Sequence, residues 1–325
     1  MMKLRAAFLY ATCFSLVTLA WSASATAQKP LPPAANTEAA SSPTRASDLP
    51  VELIEDPRIT RLEIAAPEGQ ARWRIQVARP DCAAPADGYP VLYLLDGDAV
   101  FPVAWRALSR LQQPCLALVA VGYPGPMRVN VPRRYLDFTP PTAEEYLGER
   151  GAGMATGGRE DFLEFLTGPL RTEVARLLPI DNTKQALFGH SLGGLFTLYA
   201  LTSRPEQFQA YIIADPSLWW NGQSAIREME AFFGGISAAG GGLDQPIQLH
   251  MLTSGSQPPR TGERTTRSRQ RMPEPATRQL VDRFAQVRGL KVQDQHFPHE
   301  THGSLLPLSA TEAVRFANGA FAQSP

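Results

Sequence analysis

The chain has 325 residues, 44% of them hydrophobic, with 31 basic and 31 acidic side chains. That balance suits one large globular core. A formal net charge of zero excludes a general attraction to nucleic acid or acidic membranes, so an anionic ligand has to be caught by local arginines.

At the start of the chain, Lys3 and Arg5 precede an apolar run from Ala6 to Trp21, and Ala25-Thr26-Ala27 supplies small residues for cleavage. This is the pattern of a secretory signal peptide over residues 1–27, cleaved near Ala27. It predicts an exported, periplasmic protein with no stable membrane insertion after cleavage, since no second apolar stretch is long enough to span a bilayer. Residues 28–50 are rich in Pro, Ala, Ser and Thr and read as a flexible linker. Residues 51–325 read as a single domain.

Within that domain ITRLEIAAP and RWRIQVARP alternate polar and apolar residues, as half-buried strands do. VLYLLDG, LALVAVGY, QALFGHS, QAYIIADP and IQLHMLTSG are nearly continuous apolar runs, as buried parallel strands are. Helical patterns separate them: VAWRALSRLQ, EDFLEFLTGPLRTEVARLL, GGLFTLYALTSR, AIREMEAFF and ATRQLVDRFAQVR. KVQDQHF and TEAVRFANGAF close the series. The prediction is an α/β fold with a mostly parallel central sheet, antiparallel N-terminal strands and helices on both faces. Residues 138–160, with many Gly and Pro, read either as a flap over the site or as a surface loop. Cys13 leaves with the leader. Cys82 and Cys115 then fall near the N-terminal ends of two adjacent strands, where an exported protein can join them in a disulfide.

The strand QALFGH and the helix SLGGLFTLYALTSR flank Ser191 in the order required of a G-x-S-x-G nucleophile elbow, the mark of an α/β-hydrolase. The amide of Leu192, at the helix N-terminus, points at a developing oxyanion. The base has to follow the nucleophile in the chain. His190, next to the serine, packs or orients. His250 and His296 lie within strands. His302, just after the last strand, is favoured over His299. HETH lacks the spacing of a zinc site, and no cofactor is required.

Six segments in one order carry a resemblance: LLDGDAVF at 94–101, VGYP at 121–124, RRYLDFTPP at 133–141, GHSLGG at 189–194, DPSLWW at 215–220 and HETHGS at 299–304. Together they resemble the ferric-siderophore esterases, α/β-hydrolases of the esterase D-like group that open the trilactone of enterobactin-type siderophores. The resemblance implies Ser191 as nucleophile, His302 as base, and main-chain amides of Leu192, Gly97 and Asp98 as the oxyanion site. It implies Arg133 and Arg134 near the substrate, with Arg134 as a contact or a brace. Trp219 and Trp220 offer an apolar wall, and Arg264 belongs to an arginine-rich loop suited to a tris-catecholate anion. For the triad acid the order of candidates is Glu263, then a Ser–His dyad, then Asp215. The expected partner is a small ester, a ferric siderophore whose iron belongs to the substrate. Two alternatives stay open: a general or feruloyl-type periplasmic carboxylesterase, and a non-catalytic siderophore-binding protein.

Overall fold

Eight strands form one sheet: β1 (Ile59–Ala65), β2 (Arg72–Ala78), β3 (Tyr89–Leu95), β4 (Ala117–Gly122), β5 (Ile180–His190), β6 (Ala210–Ala214), β7 (Gly242–Ser254) and β8 (Arg288–Phe297). The structure, a computed structural model, describes residues 49–65, 72–255 and 274–322. The leader, the linker up to residue 48, and the segment holding Glu263 and Arg264 lie outside the described residues. The strand order is β1-β2-β4-β3-β5-β6-β7-β8. β2 is antiparallel to both β1 and β4, and every other pair is parallel. The parallel strands therefore present their C-terminal ends along one edge, where ligands bind in open α/β sheets.

The apolar runs are continuous because each strand feeds two cores. Val91, Tyr93 and Leu95 of β3 enter one hydrophobic cluster, whereas Leu92 and Leu94 enter the other. Helices α1 (Gly97–Leu108) and α9 (Leu305–Ala322) cover the second cluster. Helices α2 (Val131–Phe138), α4 (Arg159–Thr167), α5 (Pro169–Leu177), α6 (Leu192–Ser203), α7 (Trp220–Ala238) and α8 (Glu274–Ala285) supply residues to the first. Helix α6 is buried over most of its circumference, which is why LGGLFTLYAL carries no polar stripe. No described helix is long and apolar enough to cross a membrane.

Two sequence expectations change. The pattern EDFLEFLTGPLRTEVARLL, read as one helix, is two, because Gly168 leaves helical geometry and Pro169 starts α5 with a nitrogen that has no hydrogen to donate. The segment 138–160 is not a featureless loop. It ends α2, carries the short helix α3 (Glu144–Gly151) and reaches α4. Its backbone is tied back through Gly157 N to Thr139 O and Gly158 N to Leu136 O. Trp220 Nε1 donates to Thr142 Oγ1 at 2.9 Å, joining this segment to α7.

Cys82 and Cys115 are joined in a disulfide that closes a sequence separation of 33 residues. Such a loop contributes about 3–4 kcal/mol in the chain-entropy account. Val51 N donates to Pro126 O and Arg128 N to Leu49 O, and Pro50 bridges Met127, so Leu49 and Pro50 are strapped to the β4–α2 connection.

Candidate active site

Ser191 stands between the last residue of β5 and the first of α6, with φ 60° and ψ −117°. A left-handed serine is strained by roughly 1–3 kcal/mol and is kept only where its surroundings hold it. Here its own amide donates to Ala214 O at 3.0 Å. Gly189 is required by contact: a Cβ there would lie 2.1 Å from Gly193 O. Gly194 is nearly as constrained, with Ala214 O at 2.8 Å, whereas a Cβ on Gly193 would meet nothing nearer than 3.5 Å. The first bond into α6 is Leu195 N to Ser191 O, so the Leu192 amide has no acceptor within the helix. It adds to the positive end of the helix dipole beside Ser191.

The connection from β8 to α9 carries His302. Its Nε2 lies 2.9 Å from Ser191 Oγ, and its Nδ1 lies 3.1 Å from Asp215 Oδ2. A carboxylate accepts, so Nδ1 carries the hydrogen and Nε2 is left to accept the serine proton. Asp215 follows β6 directly at φ 41° and is buried. Its carboxylate accepts from Ser254 N at 2.9 Å and from Ser254 Oγ at 2.5 Å at the end of β7. Ser217 Oγ lies 3.3 Å from Ser191 Oγ. The arrangement can move a proton from Ser191 to His302 and stabilise the resulting imidazolium.

Among the described residues the carboxylate beside His302 is Asp215, the candidate that sequence reasoning ordered third, after Glu263 and a dyad. Glu263, ordered first, lies outside the described residues. Sequence reasoning missed Ser254, which orients Asp215. The only signal for it was its place at the end of a strand neighbouring β6.

His190 is buried, and its Nε2 lies 2.9 Å from the main-chain oxygen of His302, with the two rings 4.7 Å apart. Burial first, and the neighbouring His302 second, push its pKa down to about 3. His190, Asp215 and His302 bring ligand-type atoms within 4.8 Å of one another. Both His302 nitrogens and His190 Nε2 are engaged in the bonds just described. Of the other histidines, His296 Nδ1 pairs with Thr253 Oγ1, His299 is exposed, and His250 is buried against Phe316, its pKa pushed down to about 4 by burial.

Ser191, Leu192 and His302 open onto a cavity of about 1000 Å³. Its walls include Trp219, Trp220, Tyr135 and the rim Pro124–Met127. Arg134 lines it too, clamped by Asp96 through Nε–Oδ1 at 2.6 Å and Nη2–Oδ2 at 2.9 Å. This makes Arg134 at least a brace. Arg133 is not a cavity residue. Its guanidinium turns back to Asp137 at 3.0 Å and lies over Trp73 and Tyr123. Gly97 and Asp98 also sit behind the wall, which Asp96 lines instead. Gly97 is pressed against β4, where a Cβ would be 2.6 Å from Val121 N. The Asp98 carboxylate accepts from Tyr123 N and faces Arg74, and burial raises its pKa against the pull of that arginine. Trp219 is half-buried in the wall and contacts Trp220 at 5.6 Å. Arg264 lies outside the described residues.

The Esterase family model matches residues 67–299. The ferri-bacillibactin esterase BesA of Bacillus subtilis is 34% identical over 259 residues, covering 75% of this chain and 84% of that protein. Among solved structures, the siderophore hydrolase EstA from Aspergillus nidulans superposes with a TM-score of 0.68 at 25% identity, over 83% of this chain and 99% of that one. The BES protein from Bacillus cereus gives 0.67 at 27% identity, over 82% and 97%. With the hydrogen-bonded Ser–His–Asp chain at the carboxyl edge of an α/β sheet, this chain belongs to the Esterase family of α/β-hydrolases, in the branch that includes the ferri-bacillibactin esterase.

Proposed function

We propose that the protein is an exported serine esterase that opens the ester bonds of a catecholate siderophore trilactone and so aids iron release. The observation that carries this reading is the Ser191–His302–Asp215 chain at the mouth of a cavity large enough for a bulky ester. Kinship with a ferri-bacillibactin esterase supports the substrate class. The basic, apolar and small-residue succession over residues 1–27 supports export.

In the proposed cycle His302 Nε2 takes the Ser191 proton while Oγ attacks the ester carbonyl carbon. The carbonyl electron pair moves to oxygen, which is met by the Leu192 amide at the N-terminus of α6. The C–O bond to the alcohol then breaks, and His302 returns its proton to the departing oxygen. Water attacks the acyl-serine in the same way, with His302 taking one proton and passing it to Ser191 Oγ. Asp215 holds the Nδ1–H throughout and balances the imidazolium charge.

The test is mass spectrometry of products from a panel of ferric and metal-free trilactones beside short p-nitrophenyl esters. The reading expects one water gained per opened trilactone bond, at a kcat/KM above that for the short esters. A far higher kcat/KM for the short esters would instead identify a general carboxylesterase. Intact mass of the exported material, expected to begin at Gln28, checks the leader.

A further inference from the structure

We propose that His190 is a positioning residue that locks the main chain of the base to the strand end carrying the nucleophile. The inference rests on the reading of Ser191 and His302 as nucleophile and base.

His302 sits on the seven-residue connection between Phe297 and Leu305, with Gly303 beside it facing open space. The connection is anchored before His302, where Gly255 N donates to Phe297 O and Glu300 O. Thr301 is tied to Ser304 and Leu305 within its own turn. Those bonds leave the peptide of His302 to be set by something else. The bond from His190 Nε2 to His302 O does so across 112 residues of sequence. Because a carbonyl oxygen only accepts, His190 must carry its hydrogen on Nε2. His190 ends β5 and directly precedes Ser191. One side chain thus ties the backbone of the base to the residue before the nucleophile, and the 2.9 Å Nε2–Oγ distance inherits that tie.

The electrostatics suit the task. The groups facing His190 are His302 at 4.7 Å between rings, with Asp215 and Arg134 acting over longer range. When His302 becomes an imidazolium during turnover, a second charged histidine beside it would oppose the step. Burial and His302 itself keep His190 neutral down to a pH of about 3, so the clamp neither titrates nor competes for the proton.

The experiment compares His190→Gln, whose amide nitrogen reaches where Nε2 stands, with His190→Asn, which is too short, and His190→Met, which has no donor. Turnover of p-nitrophenyl acetate is measured with thermal unfolding and a kcat/KM profile from pH 5 to 9. His190→Met and His190→Asn are expected to lose on the order of 10²-fold in kcat, as an ångström of misplacement does, with KM changed by less than about threefold. His190→Gln is expected to recover to within about tenfold of the parent. Its profile should keep the parent's shape, since no titrating group has been removed. If His190→Met or His190→Asn keeps the parent kcat, the proposal is wrong. It is equally overturned if Gln, Asn and Met all lose activity in step with their unfolding temperatures, which is the mark of a purely structural role. Should His190→Met fail to fold, the Gln–Asn pair decides. Ser191→Ala assayed alongside separates the two levels: an active Ser191→Ala enzyme removes the esterase reading itself, whereas an inactive one with insensitive His190 variants removes only the clamp.

Discussion

Ser191→Ala is expected to lower kcat on any ester substrate by on the order of 10⁶, leaving only the rate that oxyanion contacts and binding supply. Removing Oγ takes away the atom that His302 Nε2 faces at 2.9 Å and leaves no described hydroxyl equally near that nitrogen. Ser217 lies 3.3 Å from Oγ and is no substitute, because its hydroxyl belongs to the turn beyond β6 and has no bond to His302. A steady-state assay with p-nitrophenyl acetate, supported by loss of labelling with an organophosphate, measures the drop. Retention of more than about one hundredth of the activity would mean that the nucleophile is elsewhere. The same position reports its strain. Ser191→Gly should be equally inactive, yet more stable than Ser191→Ala by about 1 kcal/mol, since φ 60° suits glycine and not alanine. Parallel chemical unfolding of the two variants checks this.

Asp215→Asn should cost on the order of 10⁴ in kcat while the fold survives. Ser254 N donates to Oδ1, so the asparagine oxygen stays on that side, and the amide NH₂ takes the place of Oδ2, facing His302 Nδ1 and a Ser254 hydroxyl that must turn to accept. His302 Nδ1 must then accept, which moves the histidine hydrogen to Nε2 and leaves nothing to receive the serine proton. Glu263→Ala should stay within about twofold of the parent, since Asp215 already holds His302 Nδ1, while Asp215→Asn fails. The reverse ranking, from one assay on both variants, would move the acid to the β7–α8 connection. Rising activity of Asp215→Asn at high pH, where hydroxide can take the proton instead of His302, is a second signature of the wrong tautomer.

Much of this fold could be read before any coordinates. The apolar runs at 89–95, 117–122 and 210–214 are strands because both faces of a parallel sheet are buried, and burial on both faces writes itself as continuous hydrophobicity. Ser191 was legible because the elbow needs a strand, a small residue and a helix in fixed succession. His302 was legible because this chain order leaves it after the last strand. The acid was not, because a carboxylate on either of two neighbouring turns can reach the same imidazole. What favours Asp215 is a left-handed backbone turn and two donors from Ser254, neither of which leaves a periodic trace.

Arg133 and Arg134 show another limit. Adjacent residues on a helix point about 100° apart, so a motif naming both cannot say which one faces the ligand. Here Arg134 turns to Asp96 and the cavity, while Arg133 turns to Asp137 and Trp73. The disulfide pair was legible from strand positions, since Cys82 and Cys115 precede adjacent strands of the sheet. The break at Gly168-Pro169 was written in the sequence but outweighed by the helical pattern on either side.

The pairing of Leu49–Val51 with Pro126–Arg128 bears on where the catalytic unit begins. Residues 124–127 form one lip of the cavity, so the first described residues are stitched to the substrate's doorway and not to a remote edge of the sheet. A protein trimmed to start at β1 would keep every strand and the whole proton relay, yet leave that lip with a bare backbone edge. The smallest folded fragment and the smallest fragment with a complete entrance are therefore different lengths. An affinity tag or fusion partner joined close to residue 49 sits beside the opening through which a bulky ester must pass.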